Sequence, residues 1–303
     1  MREIIRPAWN RFRTIRVVRA FRPSLGWVSF KASRRNANQT LAVDIDTKMG
    51  LGAIIAYALR TYAYAEREGL DAHLVSSSPL YCERGKSDFF ADFFLRSDLN
   101  EQEPLPFLAR EWLFHFGLPA RLSIAAASEI FKRKFRPNSY LTEALKQQSD
   151  NCEKYDLSIH YRATDKVAES GVVPYEIMIE VINRLLPRDG VERNVFLATD
   201  DASFSNSIRQ RFNHVRFLSF DLGEVEDGKP RHFSSLSPHD KALEALVNIF
   251  CISRSPKCVR TSSYLSAMSM IVNPAMESHT VNWTLTDDLP FPEREIRDRE
   301  LGG

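Results

Sequence analysis

The chain has 303 residues, of which 44% are apolar and 26% are charged, the balance of an ordinary globular protein with one large or two medium domains. No apolar run approaches the roughly 18 residues that a spanning helix requires, and the N-terminus lacks the apolar core of a secretory signal. The four cysteines are scattered, with no CxxC pair or nearby Cys/His group, which predicts no zinc site and favours a reducing compartment. We therefore expect a cytoplasmic protein.

Positive charge is concentrated at the N-terminus. Residues 1–35 hold ten basic residues and one acid, a net +9; because the whole chain sums to +2, the other 268 residues carry −7. Within residues 1–22, Ile5, Trp9 and Phe12 share a helical face among seven arginines, a pattern typical of a peripheral helix on an anionic membrane surface. A frayed basic tail, or a helix packed on its own domain, fits the same pattern. Nucleic-acid binding is not expected, because nothing later in the chain extends the basic surface.

Apolar runs of strand length alternate with helical patterns along the rest of the chain. Strands are predicted at 41–45, 71–76, from 157, at 194–198, 215–218 and 257–260. Helices are predicted at 54–68, within 87–134, after Asn138 to about 148, at 175–186, up to 212, at 240–253, and from Tyr264 as the last element. Strands alternating with helices predict parallel sheets in an α/β fold. The chain is predicted to consist of a basic segment (1–35), an N-terminal domain (36–150) and a C-terminal domain (151–303). The polar segment 147–154 marks the boundary between the two domains.

The segment 157–166 begins as a strand and then becomes abruptly polar. Five polar side chains fall within seven positions: His160, Arg162, Thr164, Asp165 and Lys166. Ligands of open α/β sheets bind beyond the carboxyl ends of the strands, and an arginine at such an end suits phosphate oxygens. A strand end with a solvated ion-pair cluster is an equally good interpretation of these residues alone.

A second candidate site is the glycine-containing turn between the first strand and the first helix. Gly50 and Gly52 follow the strand at 41–45 and precede the helical pattern from Ile54. Glycines at a strand-to-helix turn allow close approach of a phosphate to the backbone and the helix N-terminus. The segment is neither a Walker loop nor a full GxGxxG, and a tight turn without a ligand explains it as well.

The segment from His160 to Lys166, HYRATDK, resembles the HxRRTDK motif of the α1,6-fucosyltransferases, the family of the rhizobial nodulation enzyme and the animal core fucosyltransferase. Other segments agree with that family in order and spacing: FRPN at 135–138, LATDD at 197–201, the helical segment 248–253 and the TSS turn at 261–263. The resemblance covers about residues 131–272. It implies two Rossmann-like domains facing a cleft, a GT-B-like arrangement, with the acceptor on domain 36–150 and the nucleotide sugar on domain 151–303.

The resemblance also implies an inverting glycosyltransferase that transfers fucose from GDP-fucose to a glycan or lipid-linked acceptor, with no metal or other cofactor required. Arg162 would neutralise the β-phosphate as GDP leaves, and Glu169 would deprotonate the acceptor hydroxyl with Lys166 as its partner. Asp165 completes the implied catalytic set. The implied nucleotide-sugar contacts are Gly50, Gly52, His160, Arg162, Asp200, Asp201, Asn248, Ser262 and Ser263. A core role for His160, and helix capping by one of the two aspartates, are the alternatives.

Two positions depart from the family pattern. The family's second arginine is Ala163 here, and Asn248 stands where the family often has an aspartate facing guanine. Asparagine offers one carbonyl oxygen where aspartate offers two acceptors, so the choice between GDP and another nucleotide such as UDP stays open. The alternative functions are a transferase for another nucleotide sugar and a catalytically silent nucleotide-sugar-binding protein.

Overall fold

A computed structural model of the chain describes residues 40–45, 49–83, 88–96, 122–162, 171, 173–187, 189–223, 233–283 and 291–302. Three sets of predicted features lie outside these ranges: the basic segment 1–35, part of the helical region expected within 87–134, and residues 163–170 with Asp165, Lys166 and Glu169. Among the helices that are described, none is long and apolar enough to cross a lipid bilayer.

The described strands and helices follow the predicted order. The strands are β1 (Thr40–Asp44), β2 (Asp71–Val75), β3 (Leu157–Tyr161), β4 (Arg193–Thr199), β5 (Val215–Leu218), β6 (Lys257–Arg260) and β7 (Glu277–Thr280). The helices are α1 (Leu51–Arg67), α2 (Phe89–Phe93), α3 (Ile124–Lys134), α4 (Ser139–Asn151), α5 (Tyr175–Leu185), α6 (Ala202–Arg211), α7 (Pro238–Ser253), α8 (Tyr264–Val272) and α9 (Glu293–Leu301).

Local sequence signals fix several of these boundaries. The predicted cap of α4 is confirmed, since Asn138 Oδ1 accepts a hydrogen bond from the Leu141 N–H at 3.0 Å. Helix α1 is followed closely by Gly69, whose φ of +65° a side chain would disfavour. The expectation that α8 is the last element is wrong, because β7 and α9 follow it. Both are short and mostly polar, so neither carries the apolar periodicity from which the other elements were predicted.

The described strands form two parallel sheets. β1 pairs with β2, and a five-stranded sheet has the order β5-β4-β3-β6-β7 with every pair parallel. Strand β3 is central and every residue of it is buried. Because the order runs from β3 to β4 on one side and from β3 to β6 on the other, the carboxyl end of β3 lies at a topological switch point, where ligands of such sheets bind. The predicted α/β fold is confirmed.

Helices cover both faces of the larger sheet. Leu157 and Ile159 of β3 pack with α5 and α6 in one apolar cluster, while Ser158 between them donates a hydrogen bond to Ile252 O of α7 on the opposite face. On that second face, α7 and α8 share a continuous core with α1, α3 and α4 of the N-terminal half. The predicted domain boundary near residue 150 falls on the last turn of α4. The shared core places the N-terminus of α1 beside the carboxyl edge of the larger sheet.

Candidate functional site

A cavity of about 410 Å³ lies at the carboxyl edge of the five-stranded sheet. Its walls come from the ends of β3 and β4, the N-terminal residues of α1 and α8, and one face of α7. Six of the predicted nucleotide-sugar contacts line it: Gly50, Gly52, His160, Arg162, Asp200 and Asn248. The volume is within the range of small-molecule sites, and both halves of the chain contribute to it.

Arg162 is held at the mouth of β3 by its backbone. Its N–H donates to Thr261 Oγ1 at 3.0 Å, and the N–H of Thr261 donates to the His160 carbonyl at 3.0 Å. These bonds fasten the end of β3 to the turn that follows β6. The Arg162 Nε lies 3.9 Å from Oδ2 of Asp200, an ion-pair distance that exceeds a hydrogen bond. The guanidinium thus lies in the cavity wall beside a buried carboxylate that can orient it.

His160 is 5% exposed and lines the same cavity. Burial, together with the positive charges of Arg260 and Arg162, lowers the pKa of its imidazole to about 3, against a smaller opposing effect of the hydrogen bond with the Thr261 backbone. The ring is therefore neutral at physiological pH. Its Nδ1 is buried with no hydrogen-bond partner within the described part of the chain. A neutral ring can donate or accept a hydrogen bond, but it carries no charge.

The predicted glycine turn forms one side of the cavity at the start of α1. The Leu51 N–H donates to the Tyr81 hydroxyl at 2.9 Å, so one of the first N–H groups of this helix is already bound within the protein. A methyl group at Gly52 would lie 2.6 Å from both the carbonyl carbon and the oxygen of Tyr264, whereas one at Gly50 would meet nothing within 4 Å. Gly52 is therefore required for the contact between α1 and α8, a packing reason that the motif alone does not reveal.

The two aspartates of LATDD have different surroundings. Asp200 is 6% exposed and lines the cavity. Asp201 caps α6, since its Oδ1 accepts from the Phe204 N–H at 2.8 Å and its Oδ2 accepts from the Tyr175 hydroxyl at 2.8 Å. Asp201 is not among the residues that line the cavity. This arrangement matches the capping alternative for Asp201.

Ser262 and Ser263 lie in the turn between β6 and α8 and are each 2% exposed. The Ser262 N–H donates to Asn282 Oδ1 at 3.1 Å, and the Ser263 hydroxyl accepts from the Leu265 N–H at 3.4 Å as the cap of α8. Neither serine lines the cavity, but Tyr264 and Leu265 do. The structure therefore places the two serines in support of the cavity wall.

A buried arginine that the sequence analysis did not single out holds this turn in place. Arg260 is completely buried; its Nη2 donates to the Ser263 carbonyl at 3.0 Å and its Nε to Ser266 Oγ at 2.9 Å. Its guanidinium forms a bidentate ion pair with Glu293 of α9, with Nη1 2.9 Å from Oε2. No local pattern in the sequence links the two residues. Their pairing raises the pKa of Arg260 against the opposing effect of burial, which is the largest single contribution.

Helix α7 contributes a row of polar side chains to the cavity wall. Of these residues, the sequence analysis predicted only Asn248 as part of the site. Lys241, Glu244 and Asn248 all line the cavity, at the i, i+3 and i+7 positions of one helical face. Asp221, which follows β5, lies in the same lining. The helical spacing of the three α7 residues could have indicated a shared face, but not that this face would meet the end of β3.

The remaining predicted catalytic residues, Asp165, Lys166 and Glu169, lie outside the described residues. They follow directly in sequence from Arg162, which the structure does place at the cavity. In the described parts of the chain no group of three or more His, Cys, Asp or Glu side chains has an arrangement suited to a metal ion.

Solved structures of the α-1,6-fucosyltransferase NodZ share this fold. NodZ from Bradyrhizobium in selenomethionine form aligns with a TM-score of 0.55 at 15% identity, over 77% of this chain and 93% of NodZ. NodZ co-crystallised with GDP gives 0.54 at 15% identity, and NodZ soaked with GDP-fucose gives 0.52 at 16%, each over the same shares of the two chains. No protein-family model and no curated protein matches the sequence.

These similarities establish the class of the fold. The chain is a GT-B-like α/β protein, as the resemblance of its motifs implied, with a cavity where such folds bind their ligands. At 15–16% identity the similarity to NodZ shows the fold, and the activity is inferred from the residues of the site.

Proposed function

We propose that the protein is an inverting glycosyltransferase that transfers fucose from GDP-fucose to a glycan or lipid-linked acceptor. The observation that carries this proposal is that Arg162, fastened at the end of the central strand, lines the same cavity as the N-terminus of α1. An arginine fork and a helix N-terminus both favour bound anions, and together they suit a diphosphate. The NodZ structures with GDP and GDP-fucose support guanine nucleotide as the ligand.

The proposed reaction assigns each motif residue a step. The acceptor oxygen attacks C1 of fucose while the bond from C1 to the β-phosphate oxygen breaks and its electron pair remains on GDP. Arg162 stabilises the charge that develops on the phosphate, and Asp200 at 3.9 Å orients Arg162. Glu169 receives the proton of the acceptor hydroxyl, with Lys166 as its partner and Asp165 completing the catalytic set. The guanidinium of Arg162 neutralises the charge on the departing phosphate, so the proposed reaction requires no metal.

We further propose that domain 151–303 binds the nucleotide sugar, that domain 36–150 faces the acceptor, and that the protein acts in the cytoplasm. Residues 1–22 would bring the site to an anionic membrane surface that carries lipid-linked acceptors. This arrangement would leave the donor site on the side of the membrane where nucleotide sugars are made.

A donor screen tests the proposal. The purified full chain is incubated with GDP-fucose, GDP-mannose and a set of UDP-sugars, together with a mixture of oligosaccharide and lipid-linked acceptors. Product masses identify the transferred sugar, and nucleotide release reports donor turnover. Fucosyl products from GDP-fucose support the proposal. Products from another donor would assign a different transferase activity, whereas GDP binding with neither transfer nor donor hydrolysis would identify a silent binding protein.

A further inference from the structure

We propose that Glu244, acting with Asn248, reads the base of the bound nucleotide and makes the cavity selective for guanine. The inference rests on the proposed nucleotide-binding function and adds to it the residue that decides which nucleotide enters. It also explains how the site can use Asn248 where a carboxylate was expected from the resemblance. Glu244, one helical turn before Asn248, supplies that carboxylate.

Glu244 and Asn248 form a continuous part of the cavity wall. Both lie on α7, four residues apart, both line the cavity, and they are 3% and 8% exposed. Residues at this spacing on a helix have Cβ atoms about 6 Å apart. The two side chains are therefore close enough to contact one ligand in the cavity.

The segment after β5 fixes the orientation of both side chains. Oε2 of Glu244 accepts from the Leu222 N–H at 2.7 Å, and Nδ2 of Asn248 donates to the Phe220 carbonyl at 3.2 Å. The second bond commits the amide nitrogen of Asn248 to the protein. What Asn248 retains for a ligand is therefore its carbonyl oxygen, which is an acceptor.

Besides the position of both side chains in the cavity wall, the carbonyl oxygen of Asn248 itself indicates a ligand. Oδ1 of Asn248 is buried and has no hydrogen-bond partner within the described part of the chain. A buried acceptor without a partner destabilises the folded state, and such groups are rare in folded proteins. A donor on a bound base, reached by a small rotation of the amide, would satisfy it.

Guanine has the complementary pattern of donors. Its Watson–Crick edge carries two adjacent donors, N1–H and the N2 amine, which match two acceptors such as a carboxylate and an amide oxygen. Uracil has a single N3–H donor flanked by two carbonyl acceptors, so one of the two protein acceptors would face a carbonyl oxygen of the base. The pair formed by Glu244 and Asn248 therefore favours GDP over UDP without an aspartate at position 248.

The test measures the affinities of the full chain for GDP, inosine diphosphate, UDP and pyrophosphate by calorimetry. Inosine diphosphate lacks the N2 amine, and pyrophosphate reports the phosphate part of the site alone. In the Glu244→Gln variant we expect GDP affinity to fall about 10- to 100-fold, the range for a lost hydrogen bond to a charged group. Affinity for pyrophosphate should stay within twofold of wild type. The exposed Glu180→Gln on α5 is the charge-matched control and should leave all four affinities unchanged.

Position 248 supplies the converse test. In the wild-type background, Asn248→Asp would place a second carboxylate beside Glu244 in a buried wall, so GDP binding should weaken or stay the same. In the Glu244→Gln background, the same Asn248→Asp change should restore GDP affinity at least tenfold, because the wall again contains one carboxylate.

The outcomes separate this inference from the proposed function. If wild type binds no nucleotide, the proposed function fails and this inference fails with it. If wild type binds GDP but Glu244→Gln keeps the full preference for GDP over UDP, only the assignment of Glu244 is overturned. A tenfold gain of GDP affinity from Asn248→Asp alone also overturns it. If Glu244→Gln loses pyrophosphate binding as well, the variant is misfolded and the Asn248→Asp result decides: unchanged or weaker GDP binding supports the assignment, and tighter binding overturns it.

Discussion

Gly52 of helix α1 lies directly against the backbone of Tyr264, the first residue of α8. A methyl group at Gly52 would be 2.6 Å from the carbonyl carbon and oxygen of Tyr264 and 2.8 Å from the nitrogen of Leu265. The contact brings the N-terminal ends of two helices, one from each half of the chain, into the same cavity wall. The shape of the proposed nucleotide site therefore depends on the absence of a side chain at this position.

Gly52→Ala should destabilise the protein by about 1–3 kcal/mol, because the new methyl group overlaps backbone atoms that cannot rotate away. This cost exceeds the advantage of alanine as a helix former. Gly50→Ala is the matched control, because its methyl group meets nothing within 4 Å and its φ of −60° suits any residue. Urea denaturation measures both; equal stability of the two variants would contradict the packing role of Gly52.

Arg162→Ala should reduce fucose transfer by about 100-fold or more, the scale of a lost transition-state donor in a closed site. Arg162→Lys should fall between this variant and wild type, since lysine keeps the charge but not the bidentate geometry. Steady-state rates with saturating donor are the measurement. The exposed Arg211→Ala on α6 serves as the control and should retain wild-type rates. Near-native turnover by Arg162→Ala would remove this residue from the reaction.

The buried imidazole of His160 should make the protein less stable in acid. Its folded-state pKa of about 3 lies below the unfolded value of about 6.5, so the unfolded chain binds a proton first as the pH falls. As the pH falls between these two values, His160 should lower the free energy of unfolding by up to about 1.4 kcal/mol per pH unit. The contribution of the neutral imidazole to stability is fully present above pH ~6.5.

This contribution is measured as the free energy of unfolding of wild type and of His160→Asn between about pH 4.5 and about pH 7.5. That range includes the upper part of the pH interval in which this group changes the stability. The variant should show a shallower dependence on pH, whatever its stability at neutral pH. An identical slope in both proteins would show that His160 does not titrate on unfolding.

Glu293→Ala should cost about 3–5 kcal/mol, because it leaves the buried guanidinium of Arg260 without its counter-charge. Glu295→Ala, a neighbour in the first turn of α9 that is only partly buried, is the control and should cost far less. Replacing Arg260 and Glu293 together by Met and Leu should recover part of the loss, since no uncompensated charge remains. Equal effects of the two alanine variants in thermal unfolding would argue against the pairing.

Residues 1–22 should bind the protein to anionic vesicles at low salt. Each basic residue near such a surface contributes about 1 kcal/mol, and the attraction is screened as the ionic strength rises. Sedimentation with phosphatidylserine-containing vesicles should therefore be lost at high salt and in a variant lacking residues 1–22. The truncated protein should still bind GDP. Sedimentation of that variant, or failure of the intact chain to bind, would contradict the membrane hypothesis.

Features that depend on neighbouring residues could be predicted from the sequence by itself. The order of the strands and helices up to α8 follows from apolar periodicity, and the cap by Asn138 follows from its side-chain chemistry. The change from apolar to polar residues at His160 indicated where β3 presents its ligand-facing end. These signals are local because a strand end or a cap is built from residues within a few positions of each other.

Only the tertiary structure decided which polar residues share the cavity. Gly52 meets Tyr264 across more than two hundred residues of sequence, and Asp200 faces the cavity while Asp201 turns away to cap α6. The face of α7 that carries Glu244 gained its importance from packing beside the end of β3. Such relationships depend on how the two halves bury their apolar surface against each other. Burial is non-directional, so the sequence pattern of one helix does not specify the neighbour that will cover it.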